Sequence, residues 1–147
     1  MTLNSYTFEQ LVDDFEFLGE WEERYRHVID LGRKLPAFDA AWRTAGNKVE
    51  GCVSQVWLKA TVETGKDNVA RLVFKGDSDA LIVRGLIAIL MILLSGRPVR
   101  EIFEEDVESH LRRLGLDEHL TPQRSNGLRS MVRRIKSLAA EALTAQV

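Results

Sequence analysis

Residues 55–74 read QVWLKATVETGKDNVARLVF, and in this stretch apolar side chains alternate twice with polar ones. Alternation places every second side chain on the same face of a β-strand. The tetrad GKDN at residues 65–68, between the two runs, has the composition of a tight turn. The stretch therefore predicts a β-hairpin with one face toward a core. The apolar positions of its two strands are Val56, Leu58, Ala60, Val62, Ala70, Leu72 and Phe74.

A continuous apolar run follows the hairpin. Residues 86–94 read LIAILMILL; a membrane helix needs about 20 apolar residues, so this run predicts a helix in the centre of the core. We expect Asp77 or Ser78 to cap this helix and Asp79 to favour its positive end. Upstream of the hairpin, residues 47–50 are expected to add a short third strand, which would place Gly51 and Cys52 at the tip between strands.

Helical spacing of apolar residues marks both ends of the chain. Residues 8–18 and 21–31 predict two helices before the hairpin, and residues 99–107 and 108–114 predict two short helices after it. A last helix is expected to begin at Thr121 and Pro122 or at Ser125. The predicted class is α+β: a small antiparallel three-stranded sheet packed against helices, in one domain over residues 1–147.

The composition is that of an ordinary soluble globular protein. Its 147 residues are 45% hydrophobic and 29% charged, with a net charge of −2, a balance that disfavours a dedicated nucleic-acid binder. Eight acidic residues lie within residues 1–30, whereas the chain from residue 123 onward is mainly basic. We expect solvated helix faces that attract each other rather than a partner-binding patch. With no apolar leader and no membrane-length run, a cytoplasmic protein with a reduced thiol is expected.

Cys52 is the only cysteine, which excludes an internal disulfide and a cysteine-built zinc site. Composition alone favours a buried filler, because free cysteine behaves as a small hydrophobe. The preceding Gly51 and the position ahead of the alternating register favour a loop, where reactive groups tend to lie. The three histidines, His27, His110 and His119, show no metal-binding spacing, and no glycine-rich phosphate loop is present, so neither a metal nor a cofactor site is predicted.

Six separate segments, in order along almost the whole chain, carry a family resemblance. They are WEERY at 21–25, LGRKLP at 31–36, GCVSQVW at 51–57, GDSDA at 76–80, VRGLIA at 83–88 and HLTPQRSNGL at 119–128. The sequence resembles the SufE family, the sulfur acceptors for pyridoxal-phosphate-dependent cysteine desulfurases in iron–sulfur cluster assembly. The resemblance implies a SufE/IscU-like fold and a sulfur-carrying protein rather than an enzyme.

In such a protein, Cys52 would take the persulfide sulfur of the desulfurase, pass it to an iron–sulfur scaffold or another acceptor, and stimulate the desulfurase. The partner implied is a SufS-like or CsdA-like desulfurase, according to whether the chain resembles SufE or its CsdE paralogue, and the motifs do not separate the two. Pyridoxal phosphate would reside on that partner, so this chain would bind no cofactor of its own. A homodimer is a further expectation, whereas nucleic acid and membrane are not expected partners.

The resemblance also implies supporting roles around Cys52. Arg124 would lie near the persulfide or the partner interface, with a surface arginine at a helix start as the alternative. Asp79 would lie near the docking face. Ser54 and Gln55 are expected to hold the loop after Gly51 through side-chain hydrogen bonds.

Val53 departs from the family pattern, which commonly has glutamine after the cysteine. An exposed thiolate oxidises, so we expect Cys52 to rest in an apolar pocket near the hairpin, with Val53 helping to anchor it, and the loop to swing out on docking.

Two other functions fit the residues. A cysteine hydrolase would pair Cys52 with His119 as its base. A binding module would dock its basic last helix on an acidic partner, with Cys52 as a filler. A mass gain of one sulfur atom on Cys52 would distinguish the acceptor from both.

Overall fold

The computed structural model describes residues 3–145, apart from the side chain of Asn4. It has an α+β fold in which helices cover a three-stranded antiparallel sheet. None of the helices described is both long and apolar enough to cross a bilayer. In chain order the elements are α1 (Phe8–Leu18), α2 (Trp21–Gly32), β1 (Val56–Thr64), β2 (Ala70–Ser78), α3 (Leu81–Leu94), β3 (Arg97–Pro98), α4 (Val99–Glu104), α5 (Val107–Arg113), α6 (Leu116–His119) and α7 (Pro122–Ala145).

The predicted hairpin is confirmed. β1 and β2 pair in register from Val56 opposite Ser78 to Thr64 opposite Ala70. Every second side chain near the start of β1 and along β2 is buried in the core, as alternation requires. The far end of β1, from Thr61 to Thr64, extends into solvent beyond the helices.

The third strand is not the predicted one. β3 pairs with the other edge of β2, where Arg71 faces Pro98 and Leu72 faces Arg97. Residues 47–50 do lie beside β1, but they form one isolated bridge, because the chain turns away at Gly51. The contacts there are the bridge of Lys48 with Trp57 and the hydrogen bonds from Val49 N to Val56 O at 2.8 Å and from Leu58 N to Asn47 O at 2.9 Å.

The predicted caps of the core helix are also wrong. β2 continues through Asp77 and Ser78, and α3 begins only at Leu81, with no side-chain cap on its first N–H groups. The Ser78 hydroxyl instead accepts a hydrogen bond from the backbone N–H of Ala80 at 3.2 Å. The segment GDS therefore remains in the sheet, since its backbone is already paired with β1.

α3 is the central helix, and ten of its 14 residues are buried. α2 packs against it at a contact that only glycine permits. A β-carbon on Gly85 would lie 2.2 Å from the carbonyl oxygen of Val28, and one on Gly32 would lie 2.6 Å from the Gly85 nitrogen. The two backbones therefore approach as closely as they do because neither position carries a side chain.

The acidic start of the chain does not pair with the basic last helix, contrary to expectation. Glu9 pairs with Arg113 of α5 at 2.8 Å, and Asp30 of α2 pairs with Arg33, the residue that follows this helix, at 2.7 Å. Among the ion pairs of residues 3–145, none joins an acid of residues 1–30 to a basic residue of α7. The basic side chains of α7 contact other segments instead: Arg134 contacts Gly46, and Arg129 pairs with Glu108.

Candidate functional site

Residues 46–54, which carry the cysteine, lie along one stripe of α7 and run antiparallel to it. The contacting positions of α7 are three or four residues apart, the spacing of one helix face. The contacts are Arg134 donating to the Gly46 carbonyl, Ser130 against Gly51, Gly127 against Cys52, and Arg124 donating to the Ser54 hydroxyl at 3.2 Å. We call this segment the cysteine loop and these four α7 residues its docking stripe.

Gly51 is required by both its conformation and its neighbour. Its φ of +89° is in the region that side-chain-bearing residues rarely adopt. A β-carbon there would also lie 2.5 Å from the Oγ atom of Ser130, a buried residue of α7. Gly51 therefore provides the turn that brings the next residue onto α7.

The Cys52 side chain is half-buried and packs against the core. Its Sγ atom donates a hydrogen bond to the carbonyl oxygen of Gly127 at 3.6 Å. Burial raises the pKa of the Cys52 thiol, and the negative charge of Glu50 raises it further. Both effects favour the neutral thiol over the thiolate in this docked position.

A cavity of about 260 Å³ opens beside the sulfur. Arg124 is the one charged side chain that lines it. Its guanidinium donates a hydrogen bond to the neutral hydroxyl of Ser54, and among the described residues no ion pair involves it. The site therefore joins a thiol, an apolar wall and a cation whose charge no carboxylate neutralises. The apolar wall consists of Val56, Val83, Leu86, Leu128 and Met131.

Asp79 and Gln55 join the base of the cysteine loop to the start of α3. The Oδ1 atom of Asp79 accepts a hydrogen bond from the Gln55 N–H at 3.1 Å, and the Asp79 N–H donates to the Gln55 carbonyl at 3.4 Å. Gln55 thus holds the loop through hydrogen bonds of its backbone, while its side chain is exposed. Ser54 holds the loop through its side chain. The expected side-chain hydrogen bond holds for Ser54 and is wrong for Gln55.

Val53 does not anchor the docked loop by burial. Val53 is 78% exposed, next to the half-buried Cys52. The residue at which the sequence departs from the family pattern therefore presents an apolar group to solvent at the mouth of the cavity.

The comparisons with known proteins agree on one family. The family model described as "SufE: Fe-S metabolism associated domain" matches residues 9–139. The chain belongs to the SufE family. An uncharacterized SufE-like protein of Rhizobium meliloti is 52% identical over 139 residues, which cover 95% of this chain and 99% of that protein. An uncharacterized SufE-like protein of Rhizobium etli is 50% identical over 133 residues, covering 90% and 89%.

A solved structure supports the fold. The solution structure of a hypothetical protein from Thermus thermophilus superposes with a TM-score of 0.74 over 93% of this chain and 96% of that one. The two are 23% identical, so the likeness shows a shared fold and nothing about chemistry. Membership of the SufE family, in contrast, supports a role in iron–sulfur metabolism, in sulfur transfer with a cysteine desulfurase in general.

In this SufE-family chain the histidines lie in structural contacts. His119 stacks on the indole of Trp21, with ring centroids 4.4 Å apart and an interplanar angle of 13°. His27 hydrogen-bonds with Tyr6 at 3.0 Å, and His110 contacts Glu105. Across residues 3–145, the sulfur of Cys52 has its hydrogen bond with Gly127 and none with a histidine, and no group of three potential metal ligands occurs. The hydrolase alternative therefore lacks its base.

A buried ion-pair cluster, missed from the sequence, fixes the segment ahead of the cysteine loop. The Asp77 carboxylate, with 13% of its side chain exposed, binds Arg43 at 2.5 Å and Arg84 at 3.2 Å. The Arg43 guanidinium also lies over the rings of Trp57 and Phe38, at 5.7 and 5.8 Å from their centroids. Arg43 lies 34 residues before Asp77, and Asp77 and Arg84 belong to different elements, β2 and α3, so only the folded chain reveals the cluster.

Proposed function

We propose that Cys52 is the sulfur acceptor through which this SufE-family protein serves a cysteine desulfurase. One observation is the main support for this proposal. The single thiol of the chain lines an apolar cavity, on a loop held to α7 by a few contacts that a docking partner can replace. Loops of this kind, positioned by a rigid scaffold, are where reactive groups commonly lie.

In the resting protein the thiol is protected. Burial and the charge of Glu50 keep it protonated, and its proton is directed to the Gly127 carbonyl. The thiolate is the species that attacks sulfur and that oxidants attack. A neutral docked thiol is therefore unreactive toward a persulfide and toward oxidants. Reaction therefore begins when Cys52 turns away from the Gly127 carbonyl and its apolar contacts, while Ser54 stays beside Arg124.

The transfer itself is a thiolate displacement. The Cys52 thiol loses its proton to solvent, and its thiolate attacks the terminal sulfur of the persulfide on the desulfurase. A new S–S bond forms at Cys52 as the S–S bond on the desulfurase breaks, and the desulfurase cysteine leaves as a thiolate. No net oxidation occurs, and the desulfurase regains its free nucleophile. Its turnover is stimulated for that reason.

Arg124 and Asp79 have distinct roles in this scheme. The guanidinium of Arg124 lines the same cavity as the sulfur, and as a cation it would stabilise the anionic thiolate or persulfide once Cys52 has turned away from Gly127. Asp79 anchors the base of the loop through Gln55 and lies exposed where a docked partner would contact it. Val53, exposed beside the sulfur, supplies an apolar contact to that partner.

The chain needs no cofactor for this step, because the carbon–sulfur chemistry belongs to the pyridoxal phosphate of the desulfurase. The Cys52 persulfide is then attacked by the thiolate of an iron–sulfur scaffold or another acceptor, in the same displacement with the roles exchanged. The setting we propose for this cycle is the reducing cytoplasm, where a lone cysteine stays available as a thiol.

The test is a mass measurement. The protein is incubated with the desulfurase holoenzyme and free cysteine, and we expect intact-mass analysis to find a gain of one sulfur atom that a reducing agent removes. The Cys52→Ser variant is the matched control, because the chain then contains no thiol. If wild type gains no sulfur, or if Cys52→Ser gains it equally, Cys52 is not the acceptor.

A further inference from the structure

A second cavity lies on the opposite side of α7 from the cysteine loop. It is formed between α5, α6 and α7 and has a volume of about 460 Å³, larger than the cavity beside the sulfur. Its floor is apolar: three of the leucines are buried, and two further aliphatic side chains are only half-covered. The floor consists of Leu111, Leu116, Leu120, Leu128 and Val132.

The rim of this cavity is charged, with an excess of cations. Arg112, Arg129 and Arg133 face it, against Glu108 and Asp117. Glu108 is loosely paired with Arg129 at 3.8 Å, and Arg133 donates to the neutral hydroxyl of Ser130 at 3.2 Å. Among the ion pairs of residues 3–145, none involves Arg112, which is exposed. An apolar floor with a cationic rim fits an apolar side chain flanked by carboxylates.

The two cavities share one lining residue. Leu128 lines both, so the wall of the sulfur site is also the floor of the second cavity. Leu120, at the edge of the second cavity, adjoins His119, whose ring stacks on Trp21 and extends the aromatic and apolar surface. Both cavities are lined by residues near the start of α7, so one protein docked over this part of the helix can contact both.

We infer that the cavity between α5, α6 and α7 is a second anchoring site for the cysteine desulfurase, filled by an apolar side chain of that enzyme flanked by carboxylates. The inference rests on the proposed function for the identity of the partner. The anchor acts on affinity, because it lies apart from the reacting sulfur. One face of α7, the docking stripe, then contacts the cysteine loop, and the opposite face binds the desulfurase.

The test separates binding from transfer. Affinity for the SufS-like and the CsdA-like desulfurase holoenzymes is measured by calorimetry, and the rate of sulfur gain on Cys52 is measured at saturating concentration of the one that binds. Reversing two rim charges, in Arg112→Glu with Arg129→Glu, is expected to raise the Kd about tenfold and to reduce its salt dependence. The rate at saturation is expected to stay within about twofold of wild type, since affinity differences reside mainly in dissociation.

A second variant and a matched control complete the design. Val132→Phe fills the cavity without changing charge and is expected to raise the Kd several-fold, with folding checked by circular dichroism. Arg100→Glu reverses an exposed arginine of α4 whose one ion pair within residues 3–145 is with Glu104, at 3.6 Å, and is expected to leave the Kd within about twofold.

The outcomes are distinct. An unchanged Kd in both cavity variants overturns the anchor, as does a result in which they alter only self-association of this chain, measured by sedimentation. A desulfurase that binds through the cavity but transfers no sulfur to Cys52 overturns the proposed function and leaves the anchor standing. Absence of any binding by wild type overturns both.

Discussion

Arg124 Nη1 donates a hydrogen bond to Ser54 Oγ at 3.2 Å, and this contact joins the far side of the cysteine loop to the start of α7. Replacing Arg124 by glutamine removes the guanidinium and loosens the docked loop. Such a bond contributes about 1 kcal/mol, so the undocked fraction, and with it the alkylation rate of free protein by iodoacetamide, should rise about fivefold.

Two comparisons make that experiment specific. Arg100→Gln, on the surface of α4, should leave the alkylation rate unchanged. Sulfur transfer by Arg124→Gln should become slower although the thiol is more accessible, because the cation beside the sulfur is lost. Faster transfer in this variant would contradict the role assigned to Arg124.

Gly51→Ala should destabilise the docked loop in two ways. Alanine disfavours a φ of +89°, and its β-carbon would lie 2.5 Å from Ser130 Oγ. We expect a loss of about 1–3 kcal/mol in the free energy of unfolding, measured by urea titration. Adding Ser130→Ala should recover part of the loss, because the Ser130 β-carbon lies at an ordinary 3.4 Å from that point. Strictly additive effects of the two changes would show that the predicted contact is absent.

The reactivity of Cys52 should depend on pH in a way set by burial and by Glu50. Since both raise the pKa of the thiol, the alkylation rate should reach its midpoint at a higher pH than that of a free cysteine, about 8.5. Glu50→Gln removes the negative charge and should lower the midpoint, giving faster alkylation near neutral pH. Glu63→Gln, at the exposed far end of β1, is the control. A midpoint at or below that of free cysteine in wild type would contradict the docked, shielded thiol.

Asp77→Asn should test the cluster that holds the segment before the cysteine loop. The amide keeps the shape but leaves Arg43 and Arg84 without their common carboxylate. We expect the free energy of unfolding to fall by about 1–3 kcal/mol. Asp30→Asn, which removes one exposed pair with Arg33, should cost clearly less. Equal losses in the two variants would mean that the buried cluster has no special role.

His119→Gln discriminates the sulfur acceptor from a hydrolase. The variant loses the ring that stacks on Trp21, at a cost of about 1 kcal/mol in stability. Sulfur gain on Cys52 should persist, because the sulfur contacts Gly127 and not the imidazole. If the folded variant gained no sulfur on Cys52, His119 would be shown to take part in the reaction.

Strong local patterns made much of the fold predictable. The alternation around Val56 and Leu72 defined the hairpin, and the run at 86–94 defined the core helix. β3 could not be predicted, because its two residues, Arg97 and Pro98, are too few to show the alternation of a strand. Asp77 and Ser78 resemble helix caps in sequence, yet pairing with β1 keeps them in the sheet.

The site was predictable in its residues and not in its arrangement. Cys52, Ser54, Asp79 and Arg124 stand in short motifs, which is why the sequence singled them out. The docking stripe, in contrast, contains two arginines, a glycine and a serine, a mixture typical of an ordinary solvated helix face. It belongs to the candidate site only because the cysteine loop lies across it.

The hydrogen bond from Val49 N to Val56 O sets how far the sulfur can travel. It closes residues 50–55 into a short tether whose ends stay fixed to the edge of the sheet. Cys52 is the third residue after Val49, and a fully extended chain spans at most about 3.3–3.6 Å per residue, so its Cα reaches about 10 Å from that point. In the proposed transfer the desulfurase would have to present its persulfide near the edge of β1, no further away than this radius plus the length of the cysteine side chain. The length of the tether then limits which partners can pass sulfur to Cys52.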